Sequence, residues 1–133
     1  VVVGMNQKVV TLTVPADGTF ARSVRMTAAN LAVLVGMNVD ELEDIRMAAE
    51  EGFVYACGTQ PENVEVIFTL QDGSIAMDFS LGEKDPEDCG DVAESQPLEL
   101  VELLLSAICD DFSLDDEGYT LHLLKVTGGP YAG

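Results

Sequence analysis

Glu51 and Tyr55 are the two side chains whose types and spacing could do chemistry together. They lie four residues apart in a helical stretch, so one stands above the other on a flank beside the buried stripe. A glutamate in such a position is a candidate general base, which takes a proton from a hydroxyl group. The other interpretation is structural, with Glu51 hydrogen-bonded only to Tyr55 or to a backbone group.

Other residues whose side chains could take part in binding or catalysis are dispersed along the chain. Arg22 and Arg25 lie off the buried stripe of an earlier helix, where they form either a partner-contact patch or a solubilising helix face. His122 stands on a predicted strand with no identifiable Ser or Cys partner, which indicates a residue of the sheet face. The cysteines, which have no metal-binding spacing and are expected to be reduced thiols, are Cys57, Cys89 and Cys109.

A dense set of carboxylates fills residues 83–94, a segment with no periodicity. Clustered oxygens suit a hard cation such as calcium, although the spacing matches no EF-hand loop. Two interpretations stay open, a site for a cation or small ligand and a solvated, flexible loop. We assign no metal ligands here.

The composition opposes several classes of function. The 133 residues include 24 acidic and 6 basic ones, a formal net charge of −18. Such a charge disfavours binding to nucleic acids and to anionic membranes. No apolar run approaches the roughly 20 residues that span a bilayer, and no signal segment opens the chain. We therefore expect a cytoplasmic protein with neither a nucleic-acid nor a membrane partner.

Two stretches with helical periodicity would position the candidate residues. The first begins at a cap formed by Asp17 or Thr19 and ends near Gly36, which suits a left-handed terminal residue. The second begins at Asp40, with Glu43 completing a capping box, and it carries Glu51 and Tyr55. Its predicted buried stripe consists of Leu42, Ile45, Ala49, Gly52, Phe53 and Ala56.

Alternating apolar and polar residues predict the strands. Residues 8–14 form the first strand, which ends at Pro15. Asp72-Gly73 joins two alternating runs and is a strong hairpin signal. A third helix, capped by Ser95 with Pro97 in its first turn, precedes a second hairpin that turns at residues 115–118.

The order β-α-α-β-β-α-β-β predicts an α+β fold, a two-layer sandwich with three helices on one face of a mainly antiparallel sheet. We expect a single domain over residues 5–128. The Gly4-Met5 junction suggests that residues 1–4 are a non-native leader, and residues 129–133 are expected to be a frayed tail.

The run DIRMAAEEGFVYACGT resembles a helix of the GHKL (Bergerat-fold) ATPases, closest to the anti-sigma-factor serine kinases. That helix reads D-[LI]-[KR]-x-A-x-x-E-x-x-x-N. The residues that match are Asp44, Arg46, Ala48 and Glu51. The family pattern before it, P-x6-R-x6-A-x3-G, is similar to the series Pro15, Arg22, Ala29 or Ala32, and Gly36.

The resemblance implies a histidine-kinase-like ATPase fold and a nucleotide site in a degenerate form. Glu51 takes the position of the family's catalytic Glu, whose role in phosphoryl transfer is that of a general base. Tyr55 stands where the family has a magnesium-binding Asn, and is interpreted as partly filling the nucleotide pocket. Gly82 falls within the stretch where the family has its adenine-reading D-x-G motif. The implied nucleotide-binding residues are therefore Glu51, Tyr55 and Gly82.

The resemblance implies a regulatory protein-binding module similar to an anti-sigma factor, with no cofactor. By the same resemblance its partner would be a sigma factor or an anti-anti-sigma-like protein, docking near Arg22 and Arg25, and the chain would be a homodimer. The alternative is an active serine/threonine protein kinase that binds Mg-ATP and uses Glu51 as its catalytic residue. A second alternative is a binder of a small ligand or cation through the acidic segment.

Overall fold

The alternating stretches form one antiparallel sheet in the computed structural model, which describes residues 7–83, 98–115 and 120–127. Each pair of neighbouring strands is antiparallel, and their order across the sheet is β1-β2-β3-β5-β4. The strands are β1 (Lys8–Pro15), β2 (Asn63–Gln71), β3 (Ser74–Ser80), β4 (Asp111–Asp115) and β5 (Thr120–Val126).

Because apolar and polar residues alternate along the strands, the sheet has one buried face and one open face. On the buried face Val66 pairs with Phe79, and Phe68 pairs with Met77. On the open face the side chains are polar or only partly buried, as at Ile67 opposite Asp78. A shift of register by one residue would move the apolar set to the open face, so the core fixes the register.

Three helices lie on the buried face: α1 (Ala21–Leu34), α2 (Val39–Gly58) and α3 (Leu98–Ile108). The central helix α2 contacts α1, α3 and the strands β2, β3 and β5. Gly52 allows this approach, because a Cβ there would lie 2.6 Å from the ring of Phe79. The structure is therefore the predicted α+β arrangement of three helices and a five-stranded antiparallel sheet. None of the helices in the described ranges is long and apolar enough to cross a membrane.

The start of α2 corrects one prediction. Asn38, not Asp40, is the N-cap: its side chain accepts a hydrogen bond from the Glu41 backbone N–H (2.8 Å). In return the Glu41 carboxylate accepts one from the Asn38 N–H (3.0 Å). Asp40 lies in the first turn, where a negative charge is favourable near the positive end of the helix dipole.

Other termini agree with the predictions to different degrees. Asp17 caps a 3-10 turn over Gly18–Phe20 that leads into α1. Gly36 has the expected positive φ of 86°, and Gly73 in the first hairpin has a φ of 80°. The predicted cap Ser95, residue Pro97, the turn at 116–118, the leader at 1–4 and the tail at 129–133 lie outside the described residues.

Candidate functional site

Arg22 and Arg25 line a groove between the start of α1 and the second half of α2, with a volume of about 650 Å³. The sequence placed both residues off the buried stripe of the first helix, and the structure brings them together with Glu50 of α2. We call this site the arginine groove. Its lining consists of Asp17, Gly18, Thr19, Ala21, Arg22, Arg25, Glu50 and Val54.

The two arginines differ in their contacts. A guanidinium nitrogen of Arg25 donates to the Glu50 carboxylate at 2.6 Å, and both side chains stay partly exposed. The Arg25 Nε is buried and has no hydrogen-bond partner within the described residues. Arg22 forms no ion pair with any carboxylate of the described ranges. Arg22 thus offers a positive charge that a partner's carboxylate can neutralise.

Glu51, the next residue after Glu50, is not part of the groove lining. Its side chain is half-buried, and its pKa is raised above the ordinary value of 4.5, first by burial and second by the negative charge of Glu50. Burial without a neighbouring cation disfavours the charged form of a carboxyl group. Tyr55, one turn later, packs partly buried against the core. The predicted pair thus lies on a different flank of α2 from the arginine groove.

Gly82 lies where the chain leaves β3 and passes the end of α2. Its N–H donates to the Thr59 hydroxyl at 2.7 Å. A Cβ at Gly82 would collide with the Thr59 carbonyl oxygen and lie 2.7 Å from the Pro61 nitrogen. Glycine is therefore required here for a close backbone approach within this protein.

Asp44 and Arg46, two residues of the matched helix pattern, have structural contacts. Asp44 accepts a hydrogen bond from the Lys125 ammonium at 3.1 Å, and Lys125 also donates to the Ile108 carbonyl at 2.9 Å. These bonds tie α2 to the ends of β5 and α3. Arg46 pairs with Glu43 at 3.0 Å on the exposed side of α2.

An Asp–His pair on the open face of the sheet was not predicted from the sequence. The Asp78 carboxylate and the Nδ1 of His122 are 2.6 Å apart, and Ser113 is the register partner of His122 on the other side. His122 is a sheet-face residue, as predicted. Its acidic partner lies 44 residues away in sequence, so only the β3–β5 register could have revealed the pair.

The described cysteines are poor nucleophiles. Burial, with the charge of Asp17 as a lesser cause, raises the pKa of the Cys57 thiol to about 11. Burial likewise raises the pKa of Cys109 to about 11. Thiols with such values are protonated at neutral pH, and the thiolate is the reactive form. Cys89 and the acidic segment from 84 to 94 lie outside the described residues.

Within residues 7–83, 98–115 and 120–127, no three His, Cys, Asp or Glu side chains are grouped so that they could hold a metal ion. Neither a protein-family model nor a curated protein sequence matches this chain.

Proposed function

We propose that this chain is a protein-binding regulatory module whose docking surface is the arginine groove. The observation that carries the proposal is the convergence of Arg22 and Arg25 in one groove of a chain with only 6 basic residues and a net charge of −18. Arginine is the residue best suited to bind carboxylates through two parallel hydrogen bonds. An acidic side chain of a partner protein is the ligand that fits.

The two arginines would act in different ways on binding. Arg22 has no ion-pair partner among the described residues, so it can receive a carboxylate without breaking an existing contact. Arg25 is held by Glu50, which fixes its guanidinium beside the groove. Arg25 therefore supplies positioned N–H donors whose charge Glu50 balances, and the unbalanced positive charge of the pair of arginines belongs to Arg22.

The overall charge of the chain restricts the partner. A uniformly acidic protein would be repelled at long range by a net charge of −18. The partner must instead present a carboxylate to the groove from a surface that is otherwise neutral or basic. Such local complementarity against a repulsive background gives specificity rather than affinity.

The order of elements and the place of Glu51 on α2 support a Bergerat-type fold with a degenerate nucleotide site. Under this proposal the module works in the cytoplasm without a cofactor. Its partner would be a sigma factor or an anti-anti-sigma-like protein.

The test compares capture of partner proteins from native cytoplasm by three forms of the chain. The forms are wild type, the double variant Arg22→Glu/Arg25→Glu and the control Arg46→Glu. Arg46 carries the same charge but pairs with Glu43 and does not line the groove. We expect the double variant to lose roughly tenfold or more in affinity for the captured protein, measured by calorimetry, because reversed charges would repel its carboxylate.

The control variant should keep the affinity of wild type. Equal affinity of the double variant and wild type for the captured protein would refute the groove as the docking surface. Arg46→Glu changes the net charge by about 2 and the double variant by about 4, so a loss of binding free energy in the control about half that of the double variant would show a response to total charge alone. That result would count against the groove as well.

Glu51 supports a second candidate function, an active serine/threonine kinase that binds Mg-ATP. Its raised pKa and partial burial are properties of general bases. A nucleotide at many times its dissociation constant would stabilise the chain by a few kcal/mol. Thermal-shift titrations with Mg-ATP, Mg-ADP and a no-metal control, on wild type and Glu51→Ala, test this candidate. No shift at millimolar nucleotide rejects it, and a calcium titration in the same assay addresses cation binding.

A further inference from the structure

The Asp78–His122 pair belongs to a row of polar side chains that crosses the open face of the sheet. Asp78 of β3 lies opposite His122 of β5, and His122 in turn lies opposite Ser113 of β4. Register partners project from the same face, with Cβ atoms about 4.5–5.5 Å apart. Three neighbouring strands therefore present a carboxylate, an imidazole and a hydroxyl group in a line.

The carboxylate fixes the tautomer and the orientation of the imidazole. Because Oδ1 of Asp78 lies 2.6 Å from Nδ1 of His122, Nδ1 of the neutral ring carries the hydrogen and donates it to the carboxylate. Nε2 keeps a free lone pair, and it points away from Asp78 because the two nitrogens lie on opposite sides of the ring. The side chains of His122 and Asp78 are 36% and 30% exposed, so the pair is accessible from solution.

Ser113 faces His122 from the other side. It lies on the edge strand β4 and is exposed. Its hydroxyl group is hydrogen-bonded to no other side chain of the described ranges, so no contact there holds it back from reacting. Rotation about the Cα–Cβ bonds is sufficient to bring a hydroxyl group on a paired Cβ within reach of Nε2. Contacts between a nucleophile and its base are often looser before a substrate binds.

We propose that these three residues form a site that hydrolyses carboxylic esters, with Ser113 as nucleophile, His122 as general base and Asp78 as positioning residue. Oγ of Ser113 attacks the ester carbonyl carbon while its proton passes to Nε2. The imidazolium gives this proton to the leaving oxygen as the C–O bond breaks, which leaves an acyl-serine. Water then attacks the acyl carbon and gives a proton to Nε2. That proton returns to Oγ as the acyl–oxygen bond breaks and the carboxylic acid leaves.

The neighbouring side chains indicate the kind of ester. Asp111 and Asp115 stand two residues to either side of Ser113 on the same face, and both are exposed. Together with the net charge of −18, they repel an anionic substrate. The adjacent register pair, Leu124 with Ala76, offers a partly buried apolar surface for an acyl group. A neutral or cationic ester with a small apolar acyl group therefore fits best.

The site lies on the face of the sheet opposite to the helices, so it goes beyond the docking function of the arginine groove and does not depend on it. Turnover of p-nitrophenyl acetate by the full chain tests it. We expect a burst of p-nitrophenol stoichiometric with the chain, followed by a slower steady rate, because an acyl-serine accumulates. The anionic monosuccinate ester of p-nitrophenol should react several-fold more slowly.

Substitutions along the row identify the reacting groups. His122→Gln and Ser113→Ala should each lower the rate by roughly 100-fold, because the nucleophile and its base act as a unit. His122 is the only histidine of the sequence, so no other imidazole contributes to the rate. The matched control Ser106→Ala removes an exposed hydroxyl group on α3 and should keep the rate of wild type.

Asp78 needs a separate measurement because it acts through His122. Asp78→Asn should lower kcat by a smaller factor than His122→Gln and leave KM unchanged. Asp78→Glu should recover part of this loss, since it restores a carboxylate for Nδ1. If Asp78→Asn lowered the free energy of unfolding but left kcat unchanged, Asp78 would be a structural residue only.

Several outcomes would overturn the proposal. These are a wild-type rate no higher than that of His122→Gln, a full burst in Ser113→Ala, or an acetyl group found by mass spectrometry on lysines but not on Ser113. Circular dichroism shows whether each variant is folded. Should a variant fail to fold, labelling of wild type with a fluorophosphonate provides a second test, and absence of the label from Ser113 would refute its role as nucleophile.

Discussion

Glu50 and Glu51 are adjacent in the sequence, yet α2 places their carboxylates about 100° apart around its axis and in different surroundings. Glu50 lines the arginine groove and pairs with Arg25 at 2.6 Å. Glu51 is half-buried on the other flank, and its pKa is raised by burial and by Glu50. One carboxylate has its charge balanced, and the other holds its proton more tightly.

The difference separates two kinds of function on one helix. A balanced ion pair with partial exposure is typical of the rim of a protein interface, where charges give specificity. A desolvated carboxyl group without a cation is typical of a group that exchanges protons. Under our proposal the arginine groove docks a protein, and any proton chemistry on α2 would belong to the Glu51 flank.

The largest expected effect on stability comes from Gly52, which follows Glu50 and Glu51 in α2 and allows the helix to pack closely on the sheet. Gly52→Ala places a methyl group 2.6 Å from the ring of Phe79, which is fully buried, so the ring or the helix must shift. Such overpacking costs about 1–3 kcal/mol, against a gain of up to about 1 kcal/mol from the better helix propensity of Ala. We therefore expect a lower free energy of unfolding in urea denaturation. The added methyl group would also push α2 away from the sheet, and both Glu50 and Glu51 would move with it.

Gly18→Ala is the matched control, because nothing lies within 4 Å of a Cβ at Gly18 and its φ is not positive. Its stability should stay within about 0.5 kcal/mol of wild type. If Gly52→Ala were as stable as this control, the close packing of α2 on Phe79 would be wrong.

A smaller effect is expected from Glu50→Gln, which removes one charge of the ion pair with Arg25. Exposed pairs contribute about 0.2–1 kcal/mol, so the variant should lose stability in that range. The loss should shrink in about 1 M salt, where charges are screened within roughly 3 Å. Chemical denaturation at two salt concentrations measures both. A stability equal to wild type at low salt would mean that the pair only orients Arg25.

Much of the fold follows from local patterns in the sequence. The alternation in β2 and β3, Asp72-Gly73 and the positive φ of Gly36 are all visible locally, and each was predicted correctly. The N-cap of α2 was predicted wrongly. Two residue pairs fit the capping-box spacing, Asn38 with Glu41 and Asp40 with Glu43. Glu41 also accepts a hydrogen bond from the Thr127 hydroxyl, a contact across 86 residues that no local pattern contains.

The candidate site was predicted less completely than the fold. Helical periodicity was sufficient to place Arg22 and Arg25 off the buried stripe. The partner of Arg25 was not predictable, since Glu50 reaches it only through the packing of α1 on α2, 25 residues apart. The Asp78–His122 pair required the β3–β5 register for the same reason. Contacts between residues that are distant in the sequence therefore cannot be predicted from local patterns.

The smallest predicted effect is a gain in stability, and it comes from replacing Glu51, the residue next to Glu50. Because the folded state raises the pKa of Glu51 above 4.5, ionised Glu51 destabilises the fold at neutral pH. Glu51→Gln removes that charge and should increase stability at pH 7 by about 0.5 kcal/mol or less. The gain should diminish as the pH falls through the folded pKa, and it should vanish below 4.5, where the wild-type carboxyl group is protonated in both states.

Urea denaturation of wild type and Glu51→Gln between pH 4 and pH 7 measures this dependence. The gain should also be smaller in a Glu50→Gln background, because the charge of Glu50 is the second cause of the raised pKa. A double-mutant cycle isolates that coupling. If Glu51→Gln were destabilising at pH 7, Glu51 would resemble Glu50 in having a favourable partner for its charge, and the contrast between the two flanks of α2 would be lost.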